Sequence, residues 1–456
     1  MKIKIKHLFE LLVTGMFIVG FSIMLINPAK VFASYTYSYT EVDGGVSITK
    51  VPEATSDSLS VPSEIDGKTV IKIESGAFSN TPDIIDLTIP QTVKEIEFGA
   101  FSGLKHLKTL TIPFVGASAE AEGMAKTLGY MFGDVTGTGA YTLQVYSETE
   151  SKGFYLPYHL ESVTVQGGTL DYGSFSNCKM LETVTIESST VTEIPPYAFK
   201  STTMLETVVL PDEAVKIGEK AFYHSSVKTI NLGNVTQIDN EAFVDAQIYS
   251  LDISSAVTIG NKAFYGLNKL TNIIFSEELQ GMGEYAFAHC GLLKAVELPA
   301  NVATIGKGVF YQNDRLTSIA YTGENFVSEE QVLYSADKTR LIVYPAGKIG
   351  SSFTVPEGVQ YIEENAFNGN KFLKSITVSG STQTIGYGAF SACPSLSELN
   401  LYFYGASENA AGEQALQGYV FGEIAFEGSV TQTETVEGKT YYYCLPVDLN
   451  ITLMEK

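Results

Sequence analysis

Along most of the chain the apolar residues follow neither the 3.6-residue step of an amphipathic helix nor the unbroken alternation of one long strand. They recur as an apolar residue, four others, then phenylalanine, at Ile73/Phe78, Ile96/Phe101, Leu170/Phe175, Ile194/Phe199, Ile217/Phe222, Ile238/Phe243, Ile259/Phe264, Met282/Phe287, Ile305/Phe310, Ile362/Phe367 and Ile385/Phe390. Alanine precedes most of these phenylalanines, with Ser174 and Val309 as exceptions. A leucine often follows six residues later, then two more apolar positions, as in Leu107, Leu110 and Ile112 after Phe101. Within the runs 78–101, 175–310 and 367–390, consecutive motif phenylalanines are 21 to 24 residues apart, most often 23. A fixed period in this range predicts a solenoid, in which each unit cannot shield its own apolar face and must stack on its neighbours.

Within a unit, Leu110 and Ile112 alternate with Thr109 and Thr111, which predicts a half-buried strand ended by Pro113. The Ile-x-x-x-Ala-Phe segment turns the chain on the other side, with Phe reaching inward and the small Ala allowing close packing. The same register explains three cysteines. Cys178, Cys290 and Cys393 each lie three residues after their Phe, in the slot held elsewhere by Thr81, Thr202, Ser225 or Ala246. They are expected to be small corner residues and not metal ligands. Cys444 falls outside that slot.

Three stretches break the period, near 113–160, 322–361 and 402–449. The first and last match each other at a constant offset of 289: "IPFVGAS" with "LYFYGAS", "LGYMFGD" with "QGYVFGE", and "GFYLPYHL" with "YYCLPVDL". The chain therefore carries a duplicated module, read as a decorated coil with extra hairpin strands. Gly-Tyr-x-Phe-Gly occupies the Ala-Phe slot, making Tyr130, Phe132, Tyr155, Tyr419 and Phe421 core residues. The alternative is a pair of equivalent contact sites that bind bivalently. The middle break contains "LYSADKTRLIVYP" (333–345), a β-hairpin pattern, and "YSYTEVDGGVSIT" (37–49) is another, expected to cap the solenoid.

The N-terminus changes the setting. Lys2, Lys4 and Lys6 precede a mostly apolar run from Leu8 to Ile26, and Val31 and Ala33 fit a cleavage site. Residues 1–33 are expected to be a signal peptide, an uncleaved anchor being the other reading. Their removal takes away four lysines and one glutamate, moving the formal charge from −22 to −25. Such acidity disfavours nucleic acid and anionic lipid. The expected organisation is signal peptide 1–33, N-terminal hairpin or cap 34–69, and solenoid 70–456 with the three insertions.

No chemistry-bearing constellation emerges. His106, His159, His224 and His289 form no ligand pair, and no nucleophile elbow, phosphate loop or dinucleotide fingerprint is present. "GDVTGTG" (133–139) reads as a turn. No catalytic, cofactor-binding or metal-ligating residue is named, no cofactor is expected, and the ligand-binding residues are unknown. The outward strand positions Thr109/Thr111, Thr183/Thr185, Thr229/Asn231, Ser250/Asp252, Thr317 with Ser318, and Ser375/Thr377 form a Ser/Thr-rich row without an aromatic stripe.

The Ile-x-x-x-Ala-Phe-x₅-Leu-x₂-Val-x-Ile-Pro unit resembles the BspA-type (Treponema pallidum-like) leucine-rich repeat over most of residues 70–400. The resemblance implies a leucine-rich-repeat solenoid, a β-rich right-handed coil stack whose short or helical turns carry the Ala-Phe motif. It also implies an exported or cell-surface bacterial protein that binds an extracellular protein or glycan, adhesin-like and non-enzymatic. A structural spacer without a ligand is the alternative, and a secreted hydrolase a more remote one. The expected partner is an extracellular protein or glycan, with no nucleic acid and no membrane insertion after signal cleavage.

Overall fold

The computed structural model describes residues 37–53 and 56–455. The expected signal segment at 1–33 lies outside the described residues. The chain winds into a β-solenoid in which every coil contributes to parallel rows of main-chain hydrogen bonds. The Leu-x₂-Val-x-Ile segment supplies the longer strands. Seven of them, from Ser58–Ser60 through Thr109–Ile112 and Ser162–Val165 to Thr229–Ile230, form one sheet. The row resumes later, ending with Ser352–Thr354, Ser375–Thr377, Glu398–Leu401 and Asn450–Leu453. Register is fixed by burial: Leu110, Val163 and Val184 pair in line, all pointing inward, with Thr111, Thr164 and Thr185 outward.

A second row consists of two-residue strands at the isoleucine of each unit. Glu193–Ile194, Lys216–Ile217, Gln237–Ile238, Thr258–Ile259, Gly281–Met282 and Thr304–Ile305 stack in that order. The Ala-Phe turns make a third row. Phe175, Phe199, Phe222, Phe243 and Phe264 each donate an N–H to the carbonyl of the next coil's alanine, at 2.7–2.9 Å. Their rings form a continuous stack from Phe175 to Phe310, with centroid spacings of 4.9 to 6.2 Å. The small alanine is what lets the backbones approach this closely, and the ring stack fills the core left by the turn.

This turn has a conformational demand that the residue types conceal. The backbone is left-handed two residues before and two residues after each stacked Phe. Around Phe101 and Phe175 these positions are Gly99, Gly103, Gly173 and Asn177. From Phe199 to Phe287 they are mostly non-glycine: Tyr197, Ser201, Lys220, His224, Glu241, Asp245, Lys262, Tyr285 and His289. A non-glycine residue in this region costs roughly 1–2 kcal/mol.

The two related insertions make the same contacts at the 289-residue offset. Phe101 N–H donates to Met131 and Phe390 N–H to Val420; Ile96 donates to Ala117 and Ile385 to Ala406. Phe132 and Phe421 are fully buried and continue the Phe row, whereas Tyr130, Tyr155 and Tyr419 are half-buried. Each insertion then adds an antiparallel hairpin, Ala140–Val145 with Ser151–Leu156 and Ser429–Val436 with Lys439–Pro446. Gly129 and Gly418 are needed because a Cβ there would strike the rings of Phe154 and Tyr443.

All four cysteines are free and buried. Cys290 and Cys393 point their thiols at the carbonyls of Phe264 and Phe367, the preceding coils' turns, at 3.4 and 3.2 Å. Burial pushes both thiols up to about 12. Thr202 and Asn313 hydrogen-bond Phe carbonyls from the same slot. Cys444 lies in the second hairpin, its thiol 3.5 Å from the Glu423 carbonyl.

At the N-terminal side, Ser38–Val42 and Gly45–Lys50 form a hairpin whose second strand lies parallel to Lys68–Ile73.

Candidate binding face and cleft

The turn face, opposite the Ser/Thr row, is where aromatic and charged groups accumulate. Tyr172 stacks on Tyr197 at 4.8 Å, and Lys200 lies over Tyr197 at 4.9 Å. Tyr223 stacks on His224 at 4.1 Å, and His224 Nε2 lies 3.0 Å from Asp245. Farther along, His289 sits between Tyr265 and Tyr311 at 4.6 and 5.6 Å, and Tyr311 meets Tyr285 edge-on at 5.8 Å. All these tyrosines are half-buried. Burial holds the Tyr311 hydroxyl up at about 12, and burial and then Glu364 raise that of Tyr285. The Tyr311 and Tyr285 hydroxyls are therefore neutral hydrogen-bonding groups across the physiological range. Burial lowers the His289 pKa.

Two asparagines order this face. Asn240 Oδ1 accepts from the Asn261 N–H and Asn261 Oδ1 from the Glu284 N–H, both at 2.8 Å. The face coincides with the non-glycine left-handed turn positions.

The face ends in a cleft at the middle insertion. There Phe326–Glu329, Val332–Ser335 and Arg340–Val343 form antiparallel pairs, and Arg340–Val343 restarts the isoleucine row with Tyr361–Ile362. Tyr344 takes the Phe slot: its N–H donates to Ala366 and its ring stacks on Phe367 at 5.1 Å. Between Phe310 and Tyr344 the stacking is interrupted, and a cavity of about 420 Å³ opens. Its walls include residues 303–308 on one side and Arg340, Ile342, Val343 and Tyr344 on the other.

Side chains bridge the rim. Tyr285 Oη donates to Glu364 Oε1 at 3.0 Å, Asn365 Nδ2 donates to Tyr285 Oη at 3.3 Å, and the Gln312 N–H donates to Asn368 Oδ1 at 3.1 Å. Arg340 pairs with Glu363. Lys307 lies 3.8 Å from Glu284 and 3.6 Å from Glu364, too far for hydrogen bonds, so its ammonium is loosely held. This assembly offers hydroxyls, amides and charges of both signs around apolar Phe310 and Tyr344. Such a mixture can hydrogen-bond, pair with charges and pack against an apolar group.

The strand-side positions are distributed differently. Thr109, Thr111, Thr183, Thr185, Ser318, Ser375 and Thr377 are half-buried, and Thr229, Asn231, Ser250, Asp252 and Thr317 are exposed. His224 and His289 lie on the turn face, whereas His106 and His159 are exposed on turns elsewhere. Among the described residues, no group of three or more His, Cys, Asp or Glu side chains is arranged to hold a metal. Sequence reasoning missed the aromatic face. Its signal was the repeated Tyr-Ala-Phe and Ala/Val-Phe-Tyr at 197–199, 221–223, 263–265, 285–287 and 309–311.

A family model described as the BspA type leucine rich repeat region (6 copies) matches residues 32–120, 147–259, 236–349 and 348–447. No curated protein matches the chain. Among solved structures, a leucine-rich cell surface protein from Faecalibacterium prausnitzii is 21% identical, with 82% of this chain and 76% of that one covered and a TM-score of 0.35. A leucine-rich repeat protein from Eubacterium ventriosum is 24% identical, with 58% and 66% covered and a TM-score of 0.41. One from Bacteroides ovatus is 20% identical, with 82% and 94% covered and a TM-score of 0.38.

Proposed function

The chain belongs to the BspA-type leucine-rich-repeat family, and we propose that it is exported and acts outside the cell by binding a protein or glycan, without catalysis. The cleft beside Phe310 carries this reading, because it is where the regular stack opens and exposes a mixed polar and aromatic surface. The turn face from Tyr197 to Tyr311 extends that surface. Tyrosine gives a large contact area at small entropy cost, and interface hot spots are enriched in Tyr and Arg. Arg340 and Tyr285 are the residues on which the ligand depends most.

The supporting experiment is capture on an array of extracellular matrix proteins, mucins and glycans by the chain from residue 34 onward. Tyr285→Ala and Arg340→Ala are to be compared at equal folded content. Saturable capture lost in both variants supports the cleft as the site. Capture that both variants retain places recognition elsewhere, and no capture at all favours a spacer.

A further inference from the structure

We propose that the ligand of the cleft is an extended polypeptide carrying a basic side chain, which adds as a parallel strand to the open edge of Thr304–Ile305; this rests on the reading of the cleft as a binding site. In the isoleucine row each coil receives hydrogen bonds from the next. The carbonyls of Val215 and Ile217 accept from Gln237 and Asp239, and those of Gln280 and Met282 accept from Thr304 and Gly306. Thr304–Ile305 is the last strand of its run and, among the described residues, pairs only with Gly281–Met282. Among the described residues, no main-chain N–H donates to its carbonyls at Ala303 and Ile305, which are equivalent to those of Gln280 and Met282. Among the described residues the N–H of Phe310 also meets no main-chain acceptor, although the equivalent amides of Phe264 and Phe287 donate to the next coil.

The cleft is therefore bounded by a strand edge presenting two acceptors two residues apart, which is the spacing at which an extended chain offers its N–H groups. Residues 303–308 face the cavity along their whole length, so this edge is open to a ligand. Strand addition supplies affinity through the main chain and leaves side chains to choose the partner. Three carboxylates, Glu284, Glu363 and Glu364, face two cations, Lys307 and Arg340, around the cavity. Only Arg340 is drawn in close to a carboxylate. The excess of carboxylates selects a lysine or arginine on the incoming strand.

The probe is the blocked pentapeptide Ac-Thr-Val-Lys-Val-Thr-amide, titrated into the full chain and followed by calorimetry and by the amide resonances of Lys307 and Phe310. A glutamate-centred counterpart should bind at least about tenfold more weakly, a difference of roughly 1.4 kcal/mol. Two further versions are N-methylated on alternate residues, so that each blocks one edge of the strand. One should bind like the parent and the other about tenfold more weakly or not at all. Glu284→Gln and Glu364→Gln should each narrow the lysine-over-glutamate preference.

Equal binding by the two N-methylated peptides, equal binding of lysine and glutamate peptides, or shifts remote from residues 303–310 would each overturn the proposal. So would absence of binding up to about 5 mM. If the array instead finds a glycan whose capture needs Tyr285 and Arg340, strand addition fails while the cleft remains a binding site. If neither peptide nor array ligand engages it, both readings fail.

Discussion

Phe222 tests the physical basis of the stack. Its ring is fully buried, 5.0 Å from Phe199 and 4.9 Å from Phe243, with interplanar angles of 9° and 3°. Replacing it with alanine opens a void between two coils whose backbones are already hydrogen-bonded and cannot collapse onto it. Removal of a core Phe costs about 3–5 kcal/mol, a figure that contains the two ring contacts at about 0.5–1.5 kcal/mol each. A solenoid is held together by nearest-neighbour interfaces, so the loss is local and should uncouple the coils on either side. Urea unfolding followed by far-ultraviolet circular dichroism and by tyrosine fluorescence should show a Phe222→Ala transition that is earlier and broader, or split in two. Phe222→Leu should lie between the variant and the parent, and Thr111→Ala on the outward strand face should change little. A loss below about 1 kcal/mol for Phe222→Ala, or one matched by Thr111→Ala, would refute the ring stack as the source of cohesion.

Ala392 occupies a left-handed turn position at φ 51°, so Ala392→Gly should stabilise the chain by about 0.5–1 kcal/mol, relief of strain exceeding the added unfolded-state entropy; a lower urea midpoint would contradict this. His289 has its pKa lowered by burial, so the unfolded chain binds the proton more readily and stability should fall as pH drops below the ordinary value of about 6.5. His289→Gln should flatten that slope in melting temperature between about pH 7.5 and 5, and an unchanged slope would contradict the assignment. Lys126 is fully buried, with Nζ 3.0 Å from the Ser118 carbonyl and 2.5 Å from that of Ala119. Lys126→Ala should cost about 1–3 kcal/mol for each orphaned carbonyl, less the recovered solvation of the ammonium, seen as earlier proteolysis at 116–127. All four cysteines should resist a thiol reagent in the native chain and react on unfolding; rapid native labelling of any one would contradict their burial.

The repeat was legible because each coil must return an apolar residue to the same interior slot. The recurrence of Ile and Phe therefore maps directly onto two rows of the solenoid. The 289-residue offset made the insertions readable for the same reason, with Phe132 and Phe421 holding a Phe slot that spacing alone would have missed. The left-handed turn positions were not legible, since Tyr197, Lys220 and Glu241 are ordinary surface residues by type and nothing local announces a backbone that suits glycine. The aromatic face escaped notice because its tyrosines fall two or three positions before Phe in some coils and just after it in others, and only the folded corner brings those together. The cleft was hidden in another way. Tyr344 stands in for Phe, and the open edge at Ala303 and Ile305 is the absence of a neighbour, which no residue encodes.

Whether the cleft beside Phe310 is where the protein recognises its ligand is decided by the array comparison of the parent chain with Tyr285→Ala and Arg340→Ala. The parent should show saturable capture of at least one extracellular protein or glycan, reduced at least about tenfold in both variants while their melting curves stay close to the parent's. Undiminished capture by the two variants would contradict recognition at the cleft.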